Sequence, residues 1–320
     1  MAKSAYIFPG QGSQAVGMGK ALSEAFAAAR QVFSEVDAAL GQNLTKLMFE
    51  GPEAELTLTA NAQPALMAVS LAVTRVLEAE AGLDLARDAA FVAGHSLGEY
   101  SALAAAGSFD LADAARLLRI RGAAMQKAVP VGEGAMAAIL GLDFGPVVAI
   151  ATEAARRLHL QGAICAAAND NGGGQVVISG TKDAVALAMD LAKDAGAKRA
   201  LLLPVSAPFH CALMQPAAEA MAEALGKVSI RPPVVPLVAN VLAAPIADPD
   251  DIRKFLVEQV TGTVRWRESV AWMAGQGVDS FYELGAGKVL AGLVKRIAPT
   301  ASGVSVGAPA DVAAFKAARG

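Results

Sequence analysis

Short apolar runs alternate along the chain with longer stretches whose apolar residues recur three and four positions apart, which reads as strands separated by helices. Residues 5–8 and 89–93 are runs of strand length, each stopped near a glycine. After the first, Pro9-Gly10-Gln11-Gly12-Ser13-Gln14 reads as a tight loop leading into helical spacing over 21–40. Residues 53–58 and 63–79 read as a helix interrupted by a turn, and 111–127 as an amphipathic helix. From residue 134 the pattern changes. A strand over 134–140 and a helix over 144–158 lead to strands at 164–168 and 175–179, joined by the loop Asn169-Asp170-Asn171-Gly172-Gly173-Gly174. A helix over 181–195, with Thr181 as its N-cap, and a strand over 198–205 complete the order β-α-β-β-α-β, the ferredoxin-like arrangement. Helical spacing then covers 214–225, strand-like spacing 234–241, and helical spacing 250–259 and up to 275. A final strand over 281–284 and a helix over 288–297 follow, and past Pro299 the residues are small and polar, as in a loosely attached tail. The prediction is an α/β protein in two parts, with 132–202 forming a small subdomain inserted into a large one made of 1–131 and 203–320.

Totals narrow the function classes. At 320 residues the chain exceeds a usual single core. Hydrophobic residues make up 54% and aromatics only 5%, the excess being largely alanine, which suits a helix-rich α/β protein. A net charge of -3 and the lack of any basic block argue against a nucleic-acid partner. Mean hydropathy of +0.43 raises the question of a membrane span. The longest uncharged runs do not read as one: 56–74 carries Thr, Asn and Gln, and 200–218 holds Pro204, Pro208, His210 and Pro216. No apolar leader opens the sequence. Two cysteines, Cys165 and Cys211, have no metal-ligand spacing and imply no disulfide framework. The expectation is a cytoplasmic protein with no membrane partner, no metal and no cofactor.

Three features carry candidate chemistry. Gly94-His95-Ser96-Leu97-Gly98 is a G-x-S-x-G pattern with a strand before it and helical spacing after it. Such a turn needs glycines at 94 and 98, because side chains there would collide with neighbouring backbone, and the following helix aims its N-terminal amides at the serine. A glycine-rich turn with an incidental serine is the plainer alternative. The second feature is Arg121, which falls among Ala114, Leu117, Leu118 and Met125 on the apolar face of its helix, while Arg116 and Arg119 point the other way. A buried guanidinium needs an anion, either an internal Asp or Glu or a carboxylate on a substrate. The third is His210, which follows proline in a loop and is the best-placed base for a serine nucleophile. His159 sits among arginines as a solvated residue, and His95 should point away from the serine. Asn169 and Asn171 could face a cleft between the subdomains. Gly10-x-Gly12-x-x-Ala15 fits a loose dinucleotide fingerprint, but no second strand with a terminal acid follows. A phosphate loop fails at Gln14 and Ala21, so Gln11 reads better as an amide donor to an oxyanion.

With these pieces in order, the chain resembles the bacterial malonyl-CoA:acyl-carrier-protein transacylases of fatty-acid synthesis, from about Tyr6 to Ile297. The motifs are Phe8-Pro9-Gly10-Gln11-Gly12-Ser13-Gln14, Gly94-His95-Ser96-Leu97-Gly98-Glu99-Tyr100-Ser101, Arg121-Gly122 with Met125, Gln175-Val176-Val177-Ile178-Ser179-Gly180, and Pro208-Phe209-His210. The resemblance implies an α/β-hydrolase-like large subdomain with a ferredoxin-like insert. It implies Ser96 as the acylated nucleophile, His210 as its base, and the backbone amides of Gln11 and Leu97 as the oxyanion hole. Gln259 is implied as the residue whose backbone carbonyl orients the histidine in place of an acid. Arg121 is implied to pair with the malonyl carboxylate, with Gln11, His95, Met125, Asn169 and Phe209 as further substrate contacts. Phe209 stands where some relatives carry serine, which should narrow the pocket against α-branched acyl groups. The implied partners are malonyl-CoA and acyl carrier protein, in ping-pong transfer. A free-standing acyltransferase of a polyketide synthase, a serine thioesterase or hydrolase on the same turn, and a non-catalytic nucleotide-binding module remain the alternatives.

Overall fold

A strand covered by helices on both faces must be apolar on both, and the first strand meets that condition. The computed structural model describes residues 3–158, 162–205 and 207–319; His159 and Ser206 lie outside them. Within them the strands are β1 Lys3–Phe8, β2 Ala89–Gly94, β3 Gly134–Leu140, β4 Cys165–Gly172, β5 Gln175–Thr181, β6 Arg199–Leu202, β7 Leu237–Ala239, β8 Ala244–Ile246, β9 Val278–Leu284 and β10 Ser302–Val306. Six form one sheet in the order β10-β9-β1-β2-β7-β8, parallel except for β8. Tyr6 and Phe8 enter the core on one face, under helices that include Ala27–Leu40, Thr59–Ala81 and Leu111–Lys127. Ala5 and Ile7 enter the core on the other, against Trp266–Gly275 and Val289–Ile297. The fold is mixed α/β around a parallel sheet. Among the described residues no helix is long and apolar enough to cross a membrane.

The remaining four strands form a second sheet in the order β4-β5-β3-β6, with all three pairings antiparallel. Side chains alternate along β3. Ala137 and Ile139 pack with residues of helices Phe144–Arg157 and Lys182–Asp194, whereas Met136 and Ala138 face the large core. Two local expectations fail here. The presumed loop 169–174 is mostly strand, because β4 continues through Gly172 and its edge pairs with the extended segment at Val264. The Asp170 amide donates to the Val264 carbonyl at 2.9 Å, and the Val264 amide to Ala168 at 2.8 Å. Backbone bonding therefore holds a polar stretch extended that side-chain pattern alone marks as a turn. Thr181 occupies the N-cap position without capping; its hydroxyl bonds the Ile164 carbonyl at 3.3 Å instead.

The largest correction concerns the C-terminus. Residues past Pro299 are not a loose tail, and β9 is not the last strand. β10 pairs in parallel with β9 over five positions, and a helix over Pro309–Arg319 follows. Val306, Val312 and Phe315 are buried, the Phe315 ring meets Tyr282 edge-on with centroids 5.1 Å apart, and Arg319 pairs with Asp88. The helical reading over 21–40 is likewise broken into Lys20–Ala25 and Ala27–Leu40 by Phe26, whose backbone is extended.

Candidate active site

The turn at Ser96 is set by how the two central strands end. β1 and β2 run in parallel with Phe8 opposite Gly94, so both chains leave the sheet side by side, and the His95 amide donates to the Phe8 carbonyl at 3.0 Å. A Cβ at Gly94 would lie 1.9 Å from the Gly98 carbonyl carbon, and one at Gly98 would lie 2.3 Å from the Phe8 oxygen. Both glycines are steric requirements, as the spacing predicts. Ser96 itself sits at φ 55°, a left-handed conformation that strains a residue bearing a Cβ. Asn240, just past β7, holds it there: its Oδ1 accepts from the Ser96 amide at 2.8 Å and its Nδ2 donates to the Gly94 carbonyl at 2.7 Å. The helix Gly98–Ala105 starts at this turn. Among the described residues, no hydrogen bond occupies the backbone amides of Gln11 or Leu97.

His210 reaches the serine from the loop after Pro208, also at a positive φ of 58°. Its Nε2 lies 2.8 Å from Ser96 Oγ. Its Nδ1 faces two backbone carbonyls, Gln259 at 2.9 Å and Gly262 at 3.1 Å. Carbonyls only accept, so the proton belongs on Nδ1, and Nε2 presents a lone pair to the serine hydroxyl. Burial and then the charge of Arg121 push the imidazole down to about 3. At neutral pH the ring is therefore uncharged and able to take a proton.

Arg121 is fully buried on helix Leu111–Lys127. That helix lies close against Thr59–Ala81, since a Cβ at Gly122 would sit 2.5 Å from the Thr59 oxygen. The guanidinium donates to Gln63 Oε1 at 2.9 Å, to Gln259 Oε1 at 2.8 Å and to Ser96 Oγ at 3.1 Å. All three acceptors are neutral. No Asp or Glu among the described residues comes within ion-pair distance of it, so the internal salt bridge left open by the helix pattern is not the answer. Glu99, 2% exposed, is separated from it by the Gln259 amide.

A cavity of about 540 Å³ opens over the serine between the two sheets. Gln11, His95, Ser96, Asn169, Asn171, Phe209 and His210 line it, with Met136, Ala138 and Val177 from the small sheet. His95 turns from the serine toward β4, where its Nε2 lies 2.9 Å from Asn171 Oδ1. Met125 is buried and does not line the cavity; its sulfur accepts from Gln63 Nε2 at 3.6 Å. Among the described residues no cluster of His, Cys, Asp and Glu is arranged to hold a metal ion.

A serine hydroxyl aimed at a neutral imidazole is equipped for acyl transfer. Comparison with known proteins agrees. The acyl transferase domain family matches residues 5–308. The chain belongs to that family. It is 47% identical over 314 residues to the malonyl CoA-acyl carrier protein transacylase of Escherichia coli K12, covering 98% of this chain and 99% of that one. The crystal structure of an acyl-carrier-protein-S-malonyltransferase from Bartonella henselae is 56% identical and superposes with a TM-score of 0.95 over 99% of each chain. A malonyl-transacylase in complex with a type II PKS acyl-carrier protein is 44% identical, with a TM-score of 0.94, over 99% of this chain and 100% of that one.

In this acyl transferase, Ser96, His210, Arg121 and Gln259 come together in one hydrogen-bonded cluster, and Gln11, His95, Asn169 and Phe209 border the cavity over the serine, which Arg121 and Gln259 do not line. Sequence reasoning missed Gln63, Glu99, Asn240 and the Gly262 carbonyl. Glu99 carried a signal as the single charged residue of the helix Gly98–Ala105, whereas Gln63 lies among other polar residues of its helix and carried none. Nothing local marks Asn240 or Gly262, whose roles depend on partners far away in the chain.

Proposed function

We propose that this acyl transferase moves a malonyl group from malonyl-CoA to the phosphopantetheine thiol of acyl carrier protein, supplying fatty-acid synthesis through an ester on Ser96. The observation that carries the reading is the buried guanidinium of Arg121, 3.1 Å from the serine oxygen and held only by neutral acceptors. A free carboxylate on the acyl group supplies the missing anion, and a thioester carbonyl one methylene away then lies within reach of Ser96.

The steps follow from where the protons are. Ser96 Oγ gives its proton to His210 Nε2 as it attacks the thioester carbon, and the carbonyl oxygen becomes an oxyanion facing the Gln11 and Leu97 amides. The Gln259 and Gly262 carbonyls accept from Nδ1 and stabilise the imidazolium in place of an acid. Collapse breaks the carbon–sulfur bond, and coenzyme A leaves with the proton from Nε2. The carrier thiol then gives its proton to Nε2, attacks the malonyl ester, and releases Ser96 with its proton restored. An unsubstituted acyl chain leaves the buried cation unpaired, which disfavours it. The direct test is intact-protein mass spectrometry after exposure to malonyl-CoA. One malonyl adduct should form on Ser96 and transfer to added carrier protein; an adduct lost to water alone would instead make the protein a hydrolase. The complex of a 44% identical malonyl-transacylase with a polyketide carrier makes a type II polyketide carrier the second acceptor to try.

The same proposal divides the chain into an α/β-hydrolase-like subdomain, 1–131 with 203–320, and a ferredoxin-like insert, 132–202. The all-antiparallel strand order β4-β5-β3-β6, with two helices on one face, supports the insert. Free Cys165 and Cys211 support a reducing, cytoplasmic setting.

A further inference from the structure

Of the buried ionisable groups bonded into the reacting cluster, Glu99 is given no task by the transfer steps. It sits three residues past the nucleophile on helix Gly98–Ala105, 2% exposed and with no ion-pair partner among the described residues. Each carboxyl oxygen accepts from a different arm of the site. Oε1 accepts from the backbone amide of Asn240, whose side chain holds the Ser96 turn. Oε2 accepts from Nε2 of Gln259, which also donates to the Ser96 carbonyl at 2.8 Å. With its nitrogen committed to these two acceptors, the Gln259 amide can present only its oxygen to Arg121. Gln63 is arranged alike, its Nε2 on the Met125 sulfur and its oxygen on Arg121.

We infer that Glu99 is a positioning residue that locks the Gln259 amide with its oxygen toward Arg121, aiming the guanidinium while leaving its charge free for the substrate carboxylate. The inference rests on the reading of Arg121 as the group that holds the malonyl carboxylate. A carboxylate at position 259 itself would give Arg121 the ion pair that the substrate is meant to make. The amide instead passes on the orientation and keeps the Glu99 carboxyl one residue away. Burial raises the Glu99 carboxyl to about 8 even against the Asn240 and Gln259 donors and the Arg121 charge, which pull it down. Both of its oxygens accept N–H donors, a role an uncharged amide of the same shape cannot fill.

Glu99→Gln tests this, because the new residue keeps shape and volume but has one acceptor and one donor. Its amide can satisfy the fixed backbone N–H of Asn240 or the side chain of Gln259, not both. The mobile partner gives way, so Gln259 turns its nitrogen toward Arg121, donor against donor. The expected result is a rise in KM for malonyl-CoA of about tenfold or more and a fall in the ratio of malonyl to acetyl transfer. Labelling of Ser96 by an uncharged fluorophosphonate should change by no more than about twofold, since that probe does not use Arg121. Gln259→Glu is the second variant, and its direct pairing with Arg121 should raise KM for malonyl-CoA and lower the ratio of malonyl to acetyl transfer. The inference is overturned if a folded Glu99→Gln keeps the wild-type malonyl KM and acyl ratio. It is equally overturned if malonyl transfer, acetyl transfer and fluorophosphonate labelling all fall together. If Glu99→Gln does not fold, Gln259→Glu decides by the acyl ratio, and a malonyl-to-acetyl ratio unchanged from wild type overturns the inference. Wild-type protein that takes up no malonyl group on Ser96 would instead overturn the reading of Arg121.

Discussion

The two walls of the cleft are built on different principles. On the large-sheet side, every polar group of the reacting cluster is fixed by at least one neighbour: Ser96 by Asn240, His210 by the Gln259 and Gly262 carbonyls, and Arg121 by Gln63 and Gln259. On the small-sheet side the wall is mixed, with Met136, Ala138 and Val177 beside Asn169, Asn171 and Gln175. The first wall places charge and protons to within hydrogen-bond tolerance, which is what chemistry at a thioester requires. The second supplies shape and is joined to the first by backbone pairing of β4 with Val264 and by the ion pair of Asp170 with Arg267 at 2.8 Å. Substitutions should therefore fail differently, in rate at the groups that move protons and in acyl preference at the groups that only meet the acyl chain.

The largest effect belongs to the nucleophile. Ser96→Ala should abolish the malonyl adduct and lower transfer by about 10⁴-fold or more, read by intact-protein mass spectrometry and steady-state transfer; an adduct at full stoichiometry would move the chemistry elsewhere. Next is His210→Ala, expected to lower acylation by about 10²- to 10⁴-fold while the protein stays folded by circular dichroism. A loss below tenfold would mean that another group takes the serine proton.

The pH profile sharpens the comparison further. Because burial and the Arg121 charge hold the His210 pKa down to about 3, the acid limb of kcat/KM in the free enzyme should lie well below the ordinary 6.5. Arg121→Ala removes the second cause and should move that limb upward. Stability carries the matching sign. The folded protein binds the His210 proton less readily than the unfolded chain, so this contribution falls as pH drops from 6.5 toward 3. A His210→Gln variant should show a shallower loss of melting temperature across that window than wild type; equal slopes would contradict the shift.

The smallest effect lies on the cavity wall at Phe209. Phe209→Ser should raise the ratio of methylmalonyl to malonyl transfer by roughly tenfold with little change in malonyl kcat. An unchanged ratio would place the limiting wall on the small sheet instead.

What could be read from the chain divides along physical lines. The Ser96 turn was legible because steric demands at positions 94 and 98 leave a fixed glycine spacing, and Arg121 because one charged residue in the phase of a helical apolar stripe stands out. His210 emerged by elimination among three histidines. The β-α-β-β-α-β order was legible because its period changes sharply at residue 134. The C-terminal strand was not, since Ser302-Gly303-Val304-Ser305-Val306 places only two aliphatic residues on alternate positions. Its Gly303 is required by packing, because a Cβ there would sit 2.6 Å from the Ala291 oxygen. Nor was the polar end of β4, whose extended form comes from backbone bonds to a segment far along the chain. The Glu99–Gln259 and Ser96–Asn240 contacts span 160 and 144 positions, and no local pattern encodes them.

The central claim is that the buried guanidinium selects for a carboxylate on the acyl group, and one measurement addresses it most directly. Wild type and Arg121→Ala are exposed to an equimolar mixture of malonyl-CoA and acetyl-CoA, and the acyl groups on Ser96 are counted by mass spectrometry. Wild type should carry almost only malonyl, and the variant should lose that preference by about 10²-fold while still accepting acetyl. A variant that acylates more slowly with both groups yet keeps the wild-type ratio would contradict the claim.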